Sequence, residues 1–177
     1  MNFKNEDFYE HDSTKLKEEY LLSYSFTPGL YDNIRIINLF IDTNLNYQLF
    51  TFFYAQPSNL EEINEDLVKE SRTTFEHQSK LPKRIRERIT QLFSFSKATL
   101  KQSYYNEKNL FGILDRTQKY YQIHYNNVHY SMEMSLDRID KNLFNTEVDQ
   151  LFLQLTEAIE AWLEQLIDGF IHTHNEN

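Results

Sequence analysis

Two histidines, His124 and His129, are the pair in this sequence that comes closest to a recognisable chemical site. Each lies in an alternating run, Lys119–Tyr125 and Val128–Met134, and two asparagines at 126–127 separate the runs. Asparagine tolerates positive φ, so the chain can fold back in a two-residue type I′ turn that places the histidines opposite each other. Two imidazoles and a carboxylate could bind a divalent ion. A polar strand face gives the same arrangement without any metal, and we favour that interpretation because metal ligands need supporting groups.

The register of this hairpin follows from its alternation. Pairing across the asparagine turn sorts the side chains by polarity, which is strong evidence for the register because a one-residue slip would exchange the two faces. One face receives Tyr121, Ile123, Tyr125, Val128, Tyr130 and Met132, and the other receives Tyr120, Gln122, His124, His129, Ser131 and Glu133.

Motifs for catalysis are missing from the sequence. The chain has no cysteine, and its three glycines, Gly29, Gly112 and Gly169, are too far apart to build a phosphate loop or a nucleophile elbow. Its many carboxylates are expected on outward helix faces, where they are solvated. We therefore predict that the protein is not an enzyme and uses no cofactor, and an uncharacterised enzyme is our third alternative.

The charge balance favours a basic partner. The chain has 27 acidic and 18 basic residues and a formal net charge of −9. Such a field repels nucleic acid and attracts cationic surfaces, although for any single acid a role in solubility is the simpler interpretation. A basic patch, Lys80 to Arg88, could touch phosphate. Such runs are more often solvated helix faces, so nucleic-acid binding is disfavoured.

Two surfaces are candidates for gripping a cationic protein. Carboxylates on a rigid helix can steer a basic partner, and exposed tyrosines can anchor it. The candidate residues are Glu61, Glu62, Glu65, Asp66 and Glu70 on a predicted helix, and Tyr120, His124 and His129 on the polar hairpin face.

The elements that would position these residues indicate an α+β fold. Strands are expected within 16–26, at 34–41 and at 47–54, and amphipathic helices at 59–78, 82–93 and about 146–170, with 94–105 ambiguous. We predict an antiparallel sheet, made of a three-strand meander plus the hairpin, with the helices packed on it. One domain is expected over 1–177, with loose termini at 1–15 and 172–177.

The location expected from the sequence is the cytoplasm. The first residues are polar and acidic and lack the apolar core of a secretory signal. The apolar runs near Ile36 and Leu39 are too short to span a bilayer. We expect a soluble protein with no membrane partner.

The region from Ile34 through Phe75 resembles immunity proteins of contact-dependent growth inhibition and related polymorphic toxin systems. The resemblance is carried by the run Ile34–Asp42, the aromatic run Tyr47–Tyr54 and the acidic segment from Ser58. It implies a cytoplasmic inhibitor of a toxin domain, often a nuclease. The alternative is a chaperone-like or structural adaptor that forms a homodimer or buries a partner segment.

Overall fold

Six β-strands and two α-helices make up the part of the chain that the structure describes. The structure is a computed structural model, and it describes residues 16–27, 35–54, 72–95, 118–125, 128–135 and 141–175. The elements in chain order are β1 Tyr20–Thr27, β2 Arg35–Asp42, β3 Asn46–Tyr54, β4 Arg72–Lys80, α1 Lys83–Phe93, β5 Gln118–Tyr125, β6 Val128–Ser135, a 3-10 helix Lys141–Leu143 and α2 Glu147–Asn175. This content confirms the α+β class.

The strands form one antiparallel sheet in the order β4-β3-β2-β1-β5-β6. The predicted meander β1–β2–β3 is confirmed and continues into β4, while the hairpin β5–β6 joins the sheet beside β1. The hairpin register is also confirmed, because Ile123 lies opposite Tyr130 and His124 opposite His129. The strands belong to one compact unit of the chain and the two helices to a second. The expectation of a single domain stays a prediction.

The two faces of the sheet differ sharply in polarity. Strand alternation places a set of leucine, isoleucine, tyrosine and methionine side chains on one face, where they are completely or almost completely buried. The register brings together Leu22, Tyr24, Leu39, Ile41, Leu49, Tyr121, Ile123 and Met132, none more than 3% exposed. The opposite face carries serines, amides, histidines and a few aromatic rings. A sheet with one apolar and one polar face explains the period-2 pattern of these runs.

The predicted helix over 59–78 is wrong at its C-terminal end. Residues 72–78 belong to β4, which pairs with β3 along its whole length, and Phe75 lies opposite Thr51. β4 contains two threonines and a phenylalanine, which favour strands over helices, and its residues from Thr74 to Lys80 are half-buried or exposed. Pairing to the open edge of β3 decides the structure of this segment, since local propensity is a weak prior. The rest of the predicted helix, 59–71, lies outside the described residues.

The helical unit contains the two remaining predicted helices. α1 confirms the helix expected at 82–93, and it packs against α2 with Ile85, Ile89 and Leu92 buried. α2 confirms the helix predicted from 146, but it continues to Asn175 instead of ending near residue 170. Its buried stripe recurs every three or four residues, as an amphipathic helix requires.

Candidate functional site

The sequence-predicted binding residues fall into two groups. Tyr120, His124 and His129 are half-buried on the polar face of the sheet, as expected. The acids Glu61, Glu62, Glu65, Asp66 and Glu70 lie outside the described residues, so their binding role stays a prediction.

The histidine pair is held in place by the hairpin. The ring centroids of His124 and His129 are 5.3 Å apart in an edge-to-face arrangement, and a His129 ring nitrogen, Nε2, lies 3.1 Å from Ser131 Oγ. Within the described ranges, no three His, Cys, Asp or Glu side chains come together in a way that could hold a metal ion. The geometry shows the two rings as neighbours on a polar surface.

Polar contacts continue across the middle of this face. Ser25 Oγ donates to Asn38 Oδ1 at 3.0 Å between β1 and β2, and Ser23 Oγ lies 3.4 Å from Gln122 Oε1 between β1 and β5. Ser23 and Asn38 are each no more than 5% exposed. Buried polar side chains are stable when they hydrogen-bond to one another, so these cross-strand pairs fix the centre of the polar face.

A pocket opens at one end of the same face, which we call the sheet-end pocket. It has a volume of about 410 Å³ and lies where β1 begins, β2 ends, β3 begins and β4 ends. Its lining includes two aromatic rings, a carboxylate, an ammonium and two amides, those of Tyr20, Phe40, Asp42, Lys80, Gln48 and Gln78. Its volume is within the range of small-molecule pockets, about 300–1,000 Å³.

A β-bulge turns Tyr20 into this pocket. The β1–β2 register shifts between Tyr20 and Leu22, so Tyr20 lies opposite Asp42. Bulges re-aim side chains in this way. As a result the ring of Tyr20 lies 5.3 Å from that of Phe40, centroid to centroid, and its hydroxyl is 3.4 Å from Gln48 Oε1.

The carboxylate of Asp42 is fixed by the β2–β3 turn. Its Oδ1 accepts hydrogen bonds from the backbone N–H groups of Asn44 and Asn46, each at 2.8 Å, and its Oδ2 accepts one from Asn46 Nδ2 at 3.0 Å. Leu45, with a φ of 61°, takes the left-handed conformation that closes the turn. Asp42 thus forms the turn through its side chain, as aspartates often do, and its charge is held at a defined position.

The electrostatics of the pocket are negative near Tyr20. Desolvation raises the pKa of the Tyr20 phenol above its ordinary value, and the carboxylates of Glu19 and Asp42 raise this pKa further. Lys80 supplies an opposing charge at the rim. Its side chain is exposed, and it forms no ion pair with any residue in the described ranges.

A stripe of acids on α2, the α2 stripe, is the second candidate surface. Glu157, Glu160, Glu164 and Asp168 recur every three or four residues, and all four are exposed or half-exposed. At 1.5 Å per residue the stripe is about 16 Å long. The 29 residues of α2 include no lysine or arginine. The stripe therefore forms a line of negative charge on one rigid element.

The basic patch of the sequence lies mainly on α1. Lys83 and Arg84 are exposed, and Lys83 forms a surface ion pair with Glu87 at 3.8 Å. Arg88 Nη1 donates to Gln154 Oε1 of α2 at 2.7 Å, so this arginine joins the two helices. Part of the patch thus has a structural role, as such runs often do.

Sequence reasoning missed the sheet-end pocket because four separate strand ends build it. The local sequence signal at this pocket is the segment Asp42 to Asn46, whose aspartate and asparagines favour a turn. Neither described helix has the length and apolar character needed to cross a membrane.

No protein-family model, curated protein or solved structure matches this chain.

Proposed function

We propose that this protein is a cytoplasmic binding protein that inhibits a cationic protein partner, in the manner of an immunity protein that blocks a toxin domain. The observation that carries the proposal is the α2 stripe: four carboxylates line one side of a helix that contains no lysine or arginine. A rigid row of charge can match a basic groove at several points at once.

The stripe acts first on the rate of encounter. A net charge of −9 creates a field that attracts cations over distances of about one Debye length, roughly 8 Å at physiological salt. Complementary charge accelerates association and fixes the register of docking. An inhibitor that must reach its toxin before the toxin reaches its substrate benefits from both effects.

The polar sheet face supplies side chains suited to close contact. Tyr120 is half-buried there, and tyrosines are enriched among the residues that dominate binding energy. His124 and His129 add donors and acceptors on the same face. This face offers specificity, whereas the α2 stripe offers charge.

The test is co-expression with the product of the adjacent gene. We expect that product to arrest growth when expressed alone and to be tolerated when this chain is present. In vitro the two proteins should form a complex whose affinity falls as salt rises from 50 to 300 mM, because screening weakens charge pairing. Growth arrest unaffected by this chain, with no complex at 50 mM salt, would refute the proposal.

An adaptor that dimerises is a second candidate, favoured by the sheet edges. β4 and β6 are the outer strands of the described sheet, and each pairs with a single neighbour there. Open edges can add a strand from a second chain. Light scattering over a hundredfold concentration range tests this: a dimer mass supports the adaptor, and a constant monomer mass removes it.

A further inference from the structure

We infer that the sheet-end pocket binds the ammonium group of a lysine side chain that the partner presents. The inference deepens the proposed function and rests on its premise that the partner is cationic. It assigns a ligand to a pocket that lies on the sheet, whereas the proposed function rests on a helix.

The aromatic walls of the pocket suit a cation. Tyr20 and Phe40 stand 5.3 Å apart, with their ring planes inclined at 46°. A cation within about 6 Å of a ring centroid is attracted by the negative face of the ring. The methylene stem of a lysine can at the same time pack on the apolar ring surface.

The hydrogen-bond acceptors of the pocket favour the ammonium group of lysine over the planar guanidinium group of arginine. A carboxylate offers about four lone-pair sites. The turn already uses three of those of Asp42, through two backbone N–H groups and one amide. One site is left, too few for the two parallel hydrogen bonds by which arginine binds a carboxylate. An ammonium group, with donors pointing in three directions, can instead bond to Asp42, Gln48 and Gln78 separately.

The field in the pocket has the right sign. The carboxylates of Glu19 and Asp42 both act on the Tyr20 hydroxyl, which marks this wall of the pocket as electronegative. Lys80 opposes that field from the rim. Since its side chain is exposed and forms no ion pair with Asp42, it leaves the carboxylate accessible. Lys80 therefore acts as a tuning charge, and removing it should strengthen cation binding.

The experiment is a titration of the full-length, ¹⁵N-labelled protein with Nα-acetyl-lysine N-methylamide, followed by NMR. The norleucine analogue is the matched ligand control, because it keeps the stem and lacks the amine, and the arginine analogue tests the choice of cation. We expect the lysine compound to shift the amides of residues 42–46 and 78–80, to bind more tightly than the arginine compound, and to outcompete norleucine by at least tenfold. Equal binding of norleucine, or tighter binding of arginine, would overturn the inference.

Three variants locate the interaction. Asp42→Asn keeps an oxygen for the turn but removes the charge, and it should weaken binding about two- to fivefold, while Lys80→Gln should strengthen it by a similar factor. Glu76→Gln is the control, because it makes the same chemical change in β4 at an exposed position about 13 Å along the strand from Lys80. Equal effects of the Asp42 and Glu76 variants would refute the site.

The two proposals fail in different ways. A lysine compound that binds as described, combined with no complex with the neighbouring gene product, would refute the proposed function and leave the pocket as a cation site. If the complex forms but the lysine compound does not bind to the sheet-end pocket, only the inference about the pocket is refuted.

Discussion

The start of α2 provides a sharp stability prediction for the helix that carries the acidic stripe. Thr146 and Asp149 form a reciprocal cap: Thr146 Oγ1 accepts the Asp149 N–H at 3.2 Å, and Asp149 Oδ2 accepts the Thr146 N–H at 3.1 Å and its hydroxyl at 2.7 Å. Asp149 is completely buried. This is a capping box with aspartate in the place of the usual glutamate.

We expect Thr146→Ala to lower the free energy of unfolding by about 2–5 kcal/mol, the sum of two losses. Loss of the N-cap acceptor accounts for about 0.5–2 kcal/mol. Loss of the hydroxyl bond to a buried carboxylate accounts for a further 1.5–3 kcal/mol, roughly. Thr146→Ser is the matched control, because it retains the hydroxyl, and it should remain within about 0.5 kcal/mol of the wild type.

Urea unfolding monitored by tryptophan fluorescence measures this effect. The chain has a single tryptophan, Trp162, and it lies on α2, so the signal reports on the helical unit. With a slope near 2 kcal/mol/M, the midpoint should fall by about 1–2.5 M urea. A midpoint for Thr146→Ala that matches Thr146→Ser would show that the capping box does not hold α2.

Two further predictions concern the sheet. Leu39 is completely buried in β2, so Leu39→Ala should lower the free energy of unfolding by about 2–5 kcal/mol. Val128 is 47% exposed, and Val128→Ala should lower it by less than about 0.5 kcal/mol. Equal urea midpoints for the two variants would contradict the assigned core face. Because the pKa of Tyr20 is raised above 10.0 in the folded protein, the unfolded chain loses this proton first, and the free energy of unfolding should fall as the pH rises through and above that value. Tyr20→Phe should make this fall smaller between pH 9 and pH 11, and an unchanged slope in urea melts would refute it.

The sequence predicts the hairpin well because the information there is local and redundant. Two asparagines allow a tight turn, and only one register separates His124 and His129 from Ile123 and Tyr130. The sequence predicts α1 and α2 equally well, since their apolar residues recur at helical spacing over several turns. In these segments, local pattern and tertiary packing favour the same structure.

β4 and the sheet-end pocket could not be predicted from the sequence, because they depend on contacts between distant parts of the chain. Most of β4 is polar, so neither periodicity identifies it, and its pairing with β3 supplies the decisive hydrogen bonds. The pocket depends on strand order, which joins residues such as Tyr20, Gln48 and Gln78 from distant parts of the chain. The pocket also depends on a β-bulge between Tyr20 and Leu22, which no pattern in the sequence predicts.

The central claim is that the α2 stripe binds a cationic partner. The most direct test compares two double variants of equal net charge. Glu160→Gln with Glu164→Gln alters the stripe, and Glu76→Gln with Glu87→Gln alters exposed acids elsewhere; each changes the net charge from −9 to −7, since two negative charges are removed.

Calorimetric titration with the neighbouring gene product gives the affinities. At about 0.2–1 kcal/mol for each exposed charge, the stripe variant should bind roughly 2- to 30-fold more weakly than the wild type. The control variant should stay within twofold. If both variants lose affinity equally, the negative charge acts only as a diffuse field, and the α2 stripe is not the binding surface.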